Sequence, residues 1–343
     1  MKNRSSFFLL ISFFLLGVAA LAQTGMQEFA QLGDCQLDNG QVVRDCRVGY
    51  ITYGQLNADK SNVILFPSWF TGTAHDLADL IGPGKLVDSS KFFIVTMDAL
   101  GDGVSTSPSN SQSQPHMQFP QISIGDMARS QYRLATEVLH LKHVKAVMGI
   151  SMGGMQTFQW MVSYPEFMDE AIPIAGSPRL APYDVMLWKT QNDAITNDPR
   201  WNKGEYTDNP ARASLWEIEA LTIMTPARYN HIYTRDKALG SIDKARTSPM
   251  FDANNHIRQS EAMMALDISA PFGGSMERAA QTVKAKVLVV VNEADQYVTP
   301  GPALDFAKLL HAQVLELNNE CGHLLMDCEA SKVNAAVAEF LAH

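Results

Sequence analysis

Six short, largely apolar runs punctuate this chain, at residues 63–66, 92–97, 144–148, 171–175, 287–291 and 314–317. None shows the polar–apolar alternation of a strand with one wet face. A strand that is apolar on both faces must be covered on both, which is the condition of a parallel sheet sandwiched between helices. Between two of the runs, Ala128, Tyr132, Ala135, Val138 and Leu139 recur at helical spacing. Strand, helix and strand in succession predict right-handed crossovers and an α/β fold with a doubly wound, mostly parallel sheet. A length of 343 residues suits one such domain carrying an insertion.

The alternation stops over residues 177–275, a stretch rich in Trp, Met, Pro and Asn without a buried strand. Leu215, Ile218, Leu221, Ile223 and Met224 predict one helix there, and residues 262–266 another. The expectation is an α/β core built from 23–176 and 276–343, with 177–275 as a helical lid over the site. Upstream, residues 35–53 read as a hairpin. Asn39-Gly40 is the favoured type I′ turn pair, and Val42, Val43, Val48, Tyr50 and Ile51 suit its strands.

Lys2 and Arg4, an apolar run over 7–16, and the small residues Ala20 and Ala22 predict a secretory signal peptide cleaved after Ala22. The apolar run is short for a bilayer span, so no stable membrane segment is expected after processing, and the protein is placed outside the cytosol, secreted or periplasmic. Cleavage removes two positive charges and takes the formal net charge from -9 to -11. The remaining Lys and Arg form no basic stripe, which argues against a nucleic-acid partner. The four cysteines fall in two close pairs, Cys35 with Cys46 and Cys321 with Cys328. In an oxidising compartment such pairs form disulfides. Neither has the spacing of a zinc site, so no metal is expected, and no tightly bound organic cofactor either. A homodimer is left open.

The chemistry sits where the 144–148 run ends. Gly149-Ile150-Ser151-Met152-Gly153-Gly154 follows it directly, and a helix-compatible segment follows in turn. Gly-x-Ser-x-Gly between a strand and a helix is a nucleophile elbow. Its tight turn demands small neighbours, here Gly149 and Gly153, and presents Ser151 above the sheet beside a helix N-terminus. A serine nucleophile needs a base, and the base needs an acid to orient it. On this kind of sheet the chain order is Ser, acid, His. Asp295 follows the 287–291 run and His323 the 314–317 run, so both lie just past strand carboxyl ends, where such sheets gather their sites. Glu293 is the competing acid, two residues before Asp295. Of the other histidines, His140 and His143 suit a helix end, and only His75 stands out. An oxyanion hole needs two N–H donors: Met152, directly after the nucleophile, and one from the loop after residue 66. Pro67 has no N–H, which leaves Phe70, with Trp69 as the alternative register.

At these motifs the chain resembles the homoserine O-acetyltransferase family of the α/β-hydrolase superfamily, over roughly residues 45–340. Trp69-Phe70-Thr71-Gly72-Thr73-Ala74-His75 is similar to that family's oxyanion loop. The segment 119–131 resembles the stretch before its elbow, Ser151-Met152-Gly153-Gly154-Met155-Gln156 its elbow, and 198–206 the start of its lid. The resemblance implies ping-pong acyl transfer through an acyl-serine. Three departures qualify it. The acid that follows the family's catalytic histidine is Leu324 here, the lid arginine aligns with Asn192, and Ile150 replaces a common elbow glycine. An amino-acid acceptor would find no charge partners at these positions. The expected activity is therefore hydrolysis of a small-molecule acyl ester with a short acyl group. The alternative is an O-acetyltransferase moving acetyl from acetyl-CoA to a hydroxylated small molecule.

Overall fold

The computed structural model describes residues 25–247 and 252–342. The signal-peptide segment lies outside the described residues. Eight strands form one sheet: β1 (Glu28–Gln36), β2 (Val42–Tyr53), β3 (Val63–Pro67), β4 (Phe93–Met97), β5 (Val144–Ile150), β6 (Met168–Ile174), β7 (Lys286–Asn292) and β8 (Gln313–Leu317). Their order across the sheet is β1-β2-β4-β3-β5-β6-β7-β8. The six strands β3 to β8 run parallel, and β2 joins β4, and β1 joins β2, antiparallel. All six apolar runs of the sequence are strands of this parallel block, with shifts of a few residues at their ends.

For β3 to β7 the apolarity on both faces follows from the packing, whereas β8 is the sheet edge and mostly exposed. Val63 and Leu65 of β3 face one core with Val95, Val147 and Val289, under α1 (Ile124–Arg133) and α2 (Met152–Ser163). Ile64 and Phe66 face the other, with Ile94, Met148, Ile174 and Val290. The chain runs from β3 outward to β4, then returns past β3 to β5. This reversal is a topological switch point, and it opens a crevice at the carboxyl ends of β3 and β5.

Between β6 and β7 the chain forms α3 (Pro182–Thr196), α4 (Arg212–Ala220), α5 (Pro226–Ile232), α6 (Arg235–Thr247) and α7 (Ala253–Met264). A single antiparallel bridge, Arg179 to Asp267, pinches the base of this excursion. The helix expected near Leu215 is α4, but it stops at Ala220, and the one expected near 262 begins nine residues earlier, as α7. Helix α3 escaped detection because Asp184, Gln191 and Asn192 lie on its buried side among Leu187, Trp188 and Ile195, which erases an amphipathic pattern. Helix α8 (Met276–Thr282) leads into β7, and after β7 come α9 (Gly301–Leu310) and α10 (Leu325–Leu341), whose Val333 and Val337 cover the second core. No helix among the described residues is long and apolar enough to cross a membrane.

The β1–β2 hairpin forms, with a different turn from the one expected. A type I′ turn needs positive φ at both Asn39 and Gly40, yet only Gly40 has it, at 80°. Leu37 N donates to Gln41 O at 2.9 Å and Gly40 N to Leu37 O at 3.0 Å, which makes a three-residue loop closed by a left-handed glycine. Tertiary contacts account for this choice: Asp38 N donates to Asp126 Oδ1, and Asn39 Nδ2 to Gln121 O. Both cysteine pairs are bridged, Cys35 to Cys46 across the hairpin and Cys321 to Cys328 around His323.

Candidate active site

Strand β5 ends at Ile150, and Ser151 then takes φ 58° and ψ −121° before α2 begins. A non-glycine residue held there is strained, and the surroundings must enforce it. Ser151 N is tied to Ile174 O at 2.8 Å. A Cβ added at Gly149 would collide with the Gly153 backbone, and one at Gly153 would lie 2.5 Å from Pro67 O. The two elbow glycines thus let α2 approach both its own strand and the loop after β3.

The loops after β7 and β8 bring two more side chains to the serine. The Ser151 hydroxyl lies 2.8 Å from His323 Nε2, and His323 Nδ1 lies 2.7 Å from Asp295 Oδ2. All three residues are buried. A carboxylate can only accept, so Nδ1 carries the proton and Nε2 is left to accept from Ser151. The other oxygen of Asp295 accepts from Tyr297 N at 2.8 Å and Val298 N at 3.0 Å, which locks the carboxylate's orientation. Glu293 is exposed and takes Asn318 Nδ2 at 2.5 Å instead. His75 is exposed on the 3₁₀ turn after the β3 loop. His256 is buried on α7, and burial pushes it down to about 3, so its imidazole stays neutral.

The loop after β3 is held from three sides. Ser68 N donates to Met97 O, Ala74 N to Asp98 Oδ1, and Thr71 N to Gln259 Oε1 of α7. A buried amide relay holds it from below: Gln156 Nε2 donates to Ser68 O at 3.0 Å, Gln131 Nε2 to Gln156 Oε1 at 2.6 Å, and Trp160 Nε1 to Gln131 Oε1 at 3.1 Å. Among the described residues neither Phe70 N–H nor Met152 N–H donates to a protein acceptor, and Trp69 N–H does not either. Gln131 and Gln156 stood inside the motifs of the resemblance. Gln259 carried no signal, because its partner is 188 residues away.

Buried rings pack in a chain from the histidine inward: His323 to Tyr297 at 5.1 Å, Tyr297 to Trp188 at 4.7 Å, Trp188 to Phe70 at 4.8 Å, and Phe70 to His256 at 4.8 Å. The insertion is latched to the histidine loop. His323 N donates to Ile223 O at 2.9 Å, and Thr225 donates to Glu320 O through both N and Oγ1. Leu324 is half-buried at the start of α10, and the Asn192 side chain is committed to Ser260 Oγ at 2.8 Å.

The α/β-hydrolase fold family model matches residues 62–329, which spans the parallel strands, the serine turn and the histidine loop. The chain belongs to the α/β-hydrolase family. This α/β hydrolase is 32% identical to an ethyl acetate hydrolase of Pseudomonas veronii, over 92% of this chain and 96% of that one. It is 30% identical to a homoserine O-acetyltransferase of Methanosalsum zhilinae, over 90% of this chain and 71% of that protein. Its structure is similar to that of an acetylester hydrolase from Corynebacterium glutamicum, with a TM-score of 0.87, 28% identity, and 93% and 96% of the two chains covered. The resemblance read from the motifs therefore holds, and esterases stand among the relatives beside the transferases.

Proposed function

We propose that this α/β hydrolase cleaves small acyl esters through an acyl-enzyme on Ser151. The observation that carries the reading is the unbroken hydrogen-bonded series from Ser151 through His323 to Asp295. His323 Nε2 takes the Ser151 proton as Oγ bonds to the ester carbonyl carbon, and Asp295 steadies the imidazolium. The carbonyl oxygen, now an oxyanion, takes the N–H groups of Met152 and Phe70. His323 returns the proton to the leaving alcohol as the ester C–O bond breaks. Water then attacks the acyl-serine by the same route, releasing the acid and restoring the serine. Residues 177–275 act as the lid.

The ethyl acetate hydrolase and acetylester hydrolase among the relatives support a short acyl group, and the tightly packed rings of Phe70, Trp188 and Tyr297 beside His323 agree with it. Water as acceptor is favoured over an amino acid by the neutral Leu324 and the committed Asn192, since an uncompensated ammonium or carboxylate binds poorly in a buried site. The deciding experiment supplies ethyl acetate in one arm, and acetyl-CoA with homoserine in the other. Release of acetate from ethyl acetate, with little O-acetylhomoserine formed, is the expected outcome. Predominant O-acetyl product would establish the transferase instead.

Export belongs to the same reading. Disulfides persist outside the reducing cytosol, and both cysteine pairs are bridged. Protein recovered from outside the cytosol is expected to begin at Gln23 and to expose four thiols only after reduction. An intact Met1 with four free thiols in the native protein would refute this.

A further inference from the structure

The proposed ester chemistry leaves one carboxylate at the site without a task. Glu219 lies in the last turn of α4, just before the segment whose Ile223 O receives His323 N. The end of α4 is thereby carried to the histidine. Glu219 feels the charge of His323, and it acts in turn on the Tyr297 hydroxyl, whose ring stands against the imidazole. Glu219 is half-buried. Among the described residues no hydrogen-bond donor or Lys or Arg partners its carboxylate, and burial holds it above the usual carboxylate range.

The Tyr297 ring that Glu219 acts on packs in turn against Trp188 of α3. Trp188 Nε1 on α3 is buried without an acceptor, and Gln191 on the same helix presents its side-chain amide to the Tyr297 hydroxyl. A plain hydrocarbon pocket would not maintain such groups, since a buried polar atom left unpaired is destabilising.

Which part of an ester meets Glu219 follows from the proton's path. His323 delivers its proton to the leaving oxygen, so the alcohol lies on the imidazole side of Ser151, while the carbonyl oxygen turns toward Met152 and Phe70. Glu219 is on the imidazole side. The group it meets should be a neutral donor, because His323 becomes positive in each half-reaction and a fixed ammonium beside it would oppose that step. We propose that Glu219 is a specificity-determining residue that accepts a hydrogen bond from a hydroxyl on the alcohol portion of the substrate. The enzyme accordingly favours short-acyl esters of diols and polyols over those of plain alkanols. This rests on the ester-hydrolase reading above.

The test compares 2-hydroxyethyl acetate with n-propyl acetate, which differ by a hydroxyl in place of a methyl. Each kcat/KM is divided by the ester's alkaline hydrolysis rate to remove intrinsic reactivity. The wild-type ratio is expected to favour the hydroxylated ester by about tenfold or more, the usual size of a hydrogen bond to a charged group. Glu219→Leu should bring the ratio to about one, and Glu219→Gln, which keeps a carbonyl acceptor, should retain part of it. A wild-type ratio at or below one overturns the inference. So does a Glu219→Leu or Glu219→Gln variant that slows both esters equally, because the carboxylate would then be acting on His323 rather than on substrate. Should Glu219→Leu fail to fold, the wild-type ratio and Glu219→Gln still decide. Hydrolysis of propyl acetate without preference sinks this inference alone, whereas hydrolysis of neither ester sinks the ester-hydrolase reading with it.

Discussion

Replacing Ser151 with alanine is expected to lower kcat for ethyl acetate by about 10³–10⁶-fold while leaving the fold intact. Alanine keeps the Cβ that the elbow already accommodates at φ 58°, and it keeps Ser151 N bonded to Ile174 O through the backbone. What it loses is the oxygen that lies 2.8 Å from His323 Nε2. With no nucleophile the acyl-enzyme cannot form, and only the oxyanion donors and substrate binding remain to assist direct attack by water. Steady-state hydrolysis, together with labelling by a fluorophosphonate, reads the effect. A variant that hydrolyses ethyl acetate at the wild-type rate with unchanged thermal unfolding would refute the mechanism.

Asp295→Asn is expected to cost about 10⁴-fold in kcat, for a reason specific to this site. One oxygen of Asp295 faces two N–H donors, those of Tyr297 and Val298, and the other faces His323 Nδ1. An asparagine must turn its carbonyl oxygen to the two backbone donors, because its NH₂ would oppose them. The NH₂ then points at Nδ1, which can satisfy it only by giving up its proton. That moves the imidazole proton to Nε2, and a protonated Nε2 cannot accept from Ser151. Glu293→Gln should change kcat by no more than about twofold, since Glu293 is exposed and turned to Asn318. Comparable losses in the two variants, measured with one ester under the same conditions, would remove the distinction between these carboxylates.

The parallel block was readable because its signal is local. Strands covered on both faces must be apolar at every position, and 63–66 or 287–291 can serve few other purposes in a globular chain. The serine turn was readable for the same reason, since the strain at Ser151 excludes side chains at Gly149 and Gly153, and that exclusion is written in the adjoining letters. The hairpin turn was misjudged where local preference met long-range contacts: Asp38 and Asn39 are held by Asp126 and Gln121, more than eighty residues away. The insertion was the least readable part. Helix α7 buries Asn254, Asn255, His256, Arg258 and Gln259 against loops of the core, so polar letters occupy positions where a sequence pattern would ask for apolar ones.

Residue order alone thus settled the sheet, the bend that bears Ser151, and the succession Ser, acid, His along the chain. Each depends on neighbours within a few positions, and sequence records such neighbours directly. The clamp of Gln259 on the loop after β3 and the arrival of Glu219 near His323 were decided only by the folded chain. They join residues 188 and about a hundred positions apart. Such distances are closed by packing of the insertion against the core, and packing is set by the shape of the whole interior rather than by any one stretch of it.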